Sequence, residues 1–102
     1  MKRIYDAAFA ITNGSHHSHL GTFWWIDSNG NTGTWTRDQA HAYVLANPET
    51  VYVKEGSSMV YVYPYHYTNN PTVKWIQTRA DGVLKDNLTT LAKRHAQGLP
   101  NL

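Results

Sequence analysis

The run Met59-Val60-Tyr61-Val62-Tyr63-Pro64-Tyr65-His66-Tyr67 constrains the fold of this chain more than any other stretch. Tyr61, Tyr63, Tyr65 and Tyr67 fall on one parity and Val60 and Val62 on the other, a period of two that belongs to an extended strand. A strand patterned this way needs strands beside it, so the chain must build a sheet. The same run poses the first functional question. A ladder of tyrosines is either cross-strand packing, covered by a helix or a neighbouring subunit, or a set of faces on which bases stack.

The other segments sort by the same logic. Ile4 to Thr12 reads as a strand, followed by the polar loop Asn13-Gly14-Ser15-His16-His17-Ser18. His19 to Asp27 is a second strand, and Asn29-Gly30 suits the positive-φ turn that returns Thr32 to Trp35. Thr36-Arg37-Asp38-Gln39 fits a capping box, so a helix starts there. Its short apolar face is Ala40, Tyr43 and Val44, and Asn47-Pro48 ends it. Thr50 to Lys54 and Ser58 to Tyr65 form a hairpin turning at Glu55-Gly56-Ser57, and Val73 to Thr78 is a further strand after the loop at Tyr67 to Pro71. Beyond Ala80-Asp81-Gly82, a short helix runs from Asp86-Asn87-Leu88 to about Ala96, closed by Gly98-Leu99-Pro100. The expected fold is α+β: an antiparallel sheet of five to six strands with two helices, in the order ββ(β)-α-βββ-α, as one domain over residues 1–102.

Composition removes several classes of function. With 41% hydrophobic and 16% charged residues the chain is globular and not a disordered tail. No apolar run approaches the ~20 residues of a membrane span, and Tyr5 and Asp6 interrupt any secretory apolar region, so the expected compartment is the cytoplasm. The absence of cysteine excludes a disulfide framework, a thiolate metal site and a cysteine nucleophile. A net charge of +2 is too small for a duplex-binding face. Four Trp, seven Tyr and two Phe are instead the stock of interface anchors and base-stacking platforms.

Several residues have a structural and a functional reading side by side. Asp81-Gly82 makes a turn and the Asp86 carboxylate can cap the last helix. Alternatively Arg79 forks onto a phosphate while Asp81 or Asn87 bonds a ribose hydroxyl or base edge. Arg37, in the first turn of the central helix, is either solvated or joins the backbone donors there in receiving an anion. His16, His17 and His19 suggest a metal, but neighbouring side chains in one loop diverge and no fourth ligand is evident, so no metal is expected. No Gly-x-Ser-x-Gly elbow, phosphate-binding glycine loop or His-Glu-x-x-His stretch occurs.

Thr78-Arg79-Ala80-Asp81-Gly82, then Asp86-Asn87-Leu88, fills every fixed position of the pattern Thr-x-x-Asp-Gly-x-x-x-Asp-Asn-Leu. With His16-His17-Ser18-His19-Leu20 running into Trp24-Trp25, and the step Trp35-Thr36-Arg37-Asp38-Gln39-Ala40, the chain resembles a family of small bacterial and phage domains of unknown function. The family's Leu-Pro after the signature is displaced here, where Leu91-Ala92-Lys93 runs on as helix. A looser resemblance, in size, strand–helix order and an Arg–Asp-bearing C-terminal turn, is to phage proteins that sequester nucleotide signals of bacterial immunity. It implies non-enzymatic binding of a cyclic, nucleotide-derived signal by a homo-oligomeric phage or prophage protein acting in the host cytoplasm, with no cofactor. On that expectation Arg37 and Arg79 neutralise phosphates, Tyr61, Tyr63 or Trp75 stack on a base, and Asp81 and Asn87 read polar edges. Two alternatives stay open: a protein–protein module that inhibits a host protein, and a small nucleotide-degrading enzyme using His17 or His19 as acid or base.

Overall fold

The computed structural model describes residues 1–101, so the last residue of the expected 1–102 domain lies outside the described residues. Its strands are β1 (Lys2–Phe9), β2 (Leu20–Asp27), β3 (Thr32–Thr36), β4 (Val51–Glu55), β5 (Ser58–Tyr67), β6 (Asn70–Ala80) and β7 (Val83–Leu84). The helices are α1 (Arg37–Ala46), between β3 and β4, and α2 (Asn87–Ala96), after β7; a 3-10 turn at His17–His19 precedes β2. The fold is α+β with two helices, and the strands lie in the order β3-β2-β1-β4-β5-β6-β7.

Two features correct the sequence expectation. The sheet has seven strands, not five to six, because Asp81 (φ 53°) and Gly82 (φ 76°) form a tight turn that pairs Ala80 with Val83 and Arg79 with Leu84. Both central residues need the left-handed region, which a glycine enters freely and an aspartate tolerates. The sheet is also mixed, not antiparallel. β1 and β4 run parallel, pairing Lys2 with Val51 and Arg3 with Tyr52. β1–β2 and β2–β3 are antiparallel, so β3 runs with β1, and α1 is the crossover that carries the chain back for β4 to run in that same direction. The first strand also starts earlier and ends sooner than expected, at Lys2 and Phe9 in place of Ile4 and Thr12.

Pairing between β1 and β4 stops after those two residues, and a bulge follows between Ile4 and Asp6. The bulge turns β1 away from β4. α2 packs along β1 and also touches β4 and β6, which places it at the opening between the two halves of the sheet. α1 lies against β2, β3, β5 and β6. Ile4, Phe23, Val44, Val62, Ile76 and Leu88 belong to one buried cluster that both helices complete. Of the β5 alternation, Val60 and Val62 go inside while Tyr61, Tyr63 and Tyr65 stay half-buried.

Local signals place α1 where the sequence puts it. The Gln39 amide donates to Thr36 Oγ1 at 3.2 Å and the Thr36 amide donates to Gln39 Oε1 at 2.9 Å, the reciprocal bonds of the capping box. Thr36→Ala is expected to destabilise the fold by about 1 kcal/mol, read as a lower urea midpoint at unchanged slope. α2 begins differently from expectation. Asp86 (φ −107°, ψ 22°) is not in the extended conformation of a side-chain cap, and its carboxylate makes no capping bond. Its carbonyl instead accepts from the Thr90 amide and the Thr89 hydroxyl.

Candidate functional site

Directly paired residues in a sheet project from the same face. Arg3 pairs with Tyr52 and Tyr52 with Tyr61, so three neighbouring strands present Arg-Tyr-Tyr in a row. On β6, Gln77 pairs with Tyr63, and Arg79 shares the parity of Gln77. The face therefore carries Arg3 at one side, Arg79 at the other, and Tyr52, Tyr61 and Tyr63 between them. Lys54 shares the parity of Tyr52 and adds a third cation. The strand positions that make up this patch hold no carboxylate.

Geometry within the patch is specific at Arg79. Its guanidinium carbon stands 4.0 Å from the centroid of the Tyr63 ring, a cation–π stack. Arg79 is exposed, and no carboxylate pairs with it among the described residues. Stacking holds the guanidinium plane while its N–H donors stay available, the arrangement suited to a planar or forked anion. Arg3 Nε is buried without a hydrogen-bond partner, which leaves a second donor unsatisfied on the same face.

The structure brings together only some of the residues singled out from sequence. Tyr61, Tyr63 and Arg79 share the patch. Trp75 shares its parity but is buried, with its indole N–H donating to Gln77 Oε1 at 3.1 Å and its ring against His16, Tyr65 and Tyr67. Asn87 is held on both sides of its amide: the Thr78 hydroxyl donates to Oδ1 at 2.8 Å, and Nδ2 donates to Glu55 Oε2 at 2.8 Å. Asp81 sits in the β6–β7 turn, and its positive φ answers to the turn itself. Arg37 lies apart, its Nη1 donating to the Ser18 carbonyl at 2.7 Å beside Asp38.

The histidine loop folds on itself. The amides of Ser15 and His16 donate to His19 Nδ1, and the Ser18 amide donates to His16 Nδ1. His17 is 5% exposed, and burial pulls its pKa down to about 4, the nearby Asp86 opposing and His16 and Lys93 reinforcing the shift. At neutral pH His17 therefore carries no extra proton. No group of three or more metal-ligating side chains converges among the described residues.

Sequence reasoning missed Arg3, whose place depends on the parallel β1–β4 pair, and Tyr52 and Lys54, which the β4–β5 hairpin sets on the same face as Tyr61. It also missed Asp6, whose carboxylate oxygen lies 3.0 Å from Nδ1 of His95 across 89 positions of chain. No helix among the described residues is long and apolar enough to cross a membrane. Comparison of the chain with protein-family models, with curated proteins and with solved structures returns no match to any of them.

Proposed function

We propose that this protein binds a nucleotide-derived small molecule on the Arg3–Tyr52–Tyr61–Arg79 face and holds it without chemical turnover. The observation that carries the reading is the Arg79 guanidinium stacked 4.0 Å over Tyr63 with no carboxylate partner. Tyrosine faces accept any base, and arginines at either side of them supply the charge that phosphates need. A cyclic dinucleotide or related signal offers both chemistries at once. Binding alone, by a stoichiometric protein, lowers the free ligand by mass action.

The patch lies on an open sheet face, so a second copy of the chain laid against it would complete an enclosure. We read the protein as a homo-oligomer for that reason, and as a phage or prophage sequestering protein from the sequence resemblance. His17 is buried and His19 Nδ1 is bonded to backbone, which favours retention over histidine acid–base chemistry.

The test is a thermal-shift screen against linear and cyclic mono-, di- and trinucleotides, followed by recovery of the ligand. A ligand at about 100 times its Kd should add ~2.7 kcal/mol, several degrees of Tm for a domain of this size. Arg79→Ala should weaken that ligand by tenfold or more and Tyr61→Ala by a similar factor, with the recovered molecule unchanged. A flat screen, or a linearised product, overturns the reading.

A further inference from the structure

We propose, on the basis of that nucleotide reading, that the tyrosine face takes a short linear oligonucleotide, two bases flanked by terminal phosphates, and not a closed ring. Arg3 pairs with Tyr52 and Tyr52 with Tyr61 on the adjacent strands β1, β4 and β5. Val62 pairs with Thr78, and one further step of that register sets Arg79 of β6 level with Tyr61. The four side chains form one row across four strands that reads cation, tyrosine, tyrosine, cation. Three strand spacings separate its ends, roughly 14 Å between the two arginine Cα atoms. Arg79 is held by its stack on Tyr63 at 4.0 Å and Arg3 has its Nε buried, so neither is free to lean along the row onto a shared phosphate. The ligand must bring an anionic group to each end.

The order along the row selects the ligand. In a cyclic dinucleotide both phosphates lie between the two nucleosides, whereas here the arginines stand outside the two tyrosines. A linear dinucleotide phosphorylated at both ends matches: its terminal phosphates accept the forked donors of Arg3 and Arg79, and its bases stack on Tyr52 and Tyr61. Among the described residues neither of those two rings pairs with another aromatic ring, while Tyr65, Tyr67 and Trp75 are taken up with one another. The internal phosphate meets Lys54, two residues along β4 from Tyr52 and roughly 7 Å to one side of the row. The acid beside Lys54 is turned away, since Glu55 has the opposite parity and accepts from Asn87 Nδ2 at 2.8 Å. The row also limits length. Ile26 and Thr32 lie beyond Arg3, and Leu84 lies beyond Arg79, so no further cation continues it in either direction.

The probes are the adenine dinucleotide phosphorylated at both ends, the same molecule lacking one or both terminal phosphates, adenosine monophosphate and cyclic di-adenylate, titrated calorimetrically into the full chain. The doubly phosphorylated dinucleotide should bind roughly tenfold tighter, or more, than the cyclic molecule or the monophosphate. Removing either terminal phosphate should weaken it several-fold. Arg79→Gln should cancel the effect of removing one terminal phosphate and Arg3→Gln that of removing the other, a pairing that the double-mutant cycle reads directly. Lys54→Gln should weaken every dinucleotide, including the one without terminal phosphates. Because the phosphates are removed from the ligand, that comparison holds even if Arg3→Gln does not fold. A ring bound as tightly as the linear molecule, terminal phosphates without effect, or a longer adenine strand bound much more tightly than the dinucleotide overturns the proposal and leaves the nucleotide reading in place. Binding of none of these probes overturns both.

Discussion

Leu88→Ala is expected to lower the unfolding free energy by about 2–5 kcal/mol, a large part of the stability of a 102-residue domain. Leu88 is fully buried in the cluster that joins α2 to the sheet, beside the opening left where β1 parts from β4. Its loss removes apolar contact and leaves a cavity that a helix pinned at both ends cannot close. Asn87 next to it bridges Thr78 on β6 and Glu55 on β4, so it ties the start of the helix to two strands. Asn87→Ala should cost about 1–2 kcal/mol, since the bonds to Thr78 and Glu55 are lost while the Thr78 hydroxyl keeps the Lys85 carbonyl as an acceptor. Urea unfolding of both variants checks this. A Leu88→Ala variant within 1 kcal/mol of the parent would mean that α2 does not close the core. On this account Asn87 and Leu88 together form a clasp for the last helix.

Acidification should destabilise the protein before most carboxylates titrate. His17 in the folded chain binds its proton only near pH 4, whereas the unfolded chain binds it near 6.5. Between those values the unfolded state holds more protons, so stability falls as pH falls through the window. From pH 7 to pH 5 the loss from His17 is about 2 kcal/mol, and it reaches roughly 3 kcal/mol at the bottom of the window. His41, buried in α1, shifts in the same direction, burial first and the Lys74 charge second, with His66 adding to the shift and Tyr65 and Asp38 opposing it. The measurement is a series of urea midpoints from pH 7 to pH 5 for the parent and for His17→Gln, which has no proton to bind. The parent should lose stability steeply and the variant much less. Equal slopes would overturn the assignment to His17. His17→Gln at pH 7 also probes the buried Nε2 that has no partner, a group whose desolvation works against the fold.

Those two predictions separate what was legible in the residues from what was not. Period and caps are local properties, set by neighbours within a few positions. The alternation around Tyr61 and Tyr63 identified β5, and the Thr36–Gln39 pair placed α1 with its cap bonds. Asn47-Pro48 marked where α1 ends, and Asp81-Gly82 marked a turn. The Asp86 cap failed because its backbone, at φ −107° and ψ 22°, lies outside the extended region that a side-chain cap needs, which the dipeptide does not encode.

Strand adjacency is a different kind of fact. No residue in β1 names β4 as its neighbour. That choice follows from the α1 crossover, which returns the chain to the direction of β1, and from packing both helices into one core, which parallel pairing satisfies. Arg3 joins the face of Tyr52, Tyr61 and Arg79 only because of it, so its place there was invisible in the sequence. Asp6 and His95 are likewise brought to 3.0 Å by the bulge in β1 and the packing of α2 along that strand. The amino-acid sequence by itself determined where the chain extends, coils and turns, because those preferences are paid within a few bonds. Only the tertiary structure decided which side chains face one another, because burial is shared across the whole chain and rewards the arrangement that closes the core.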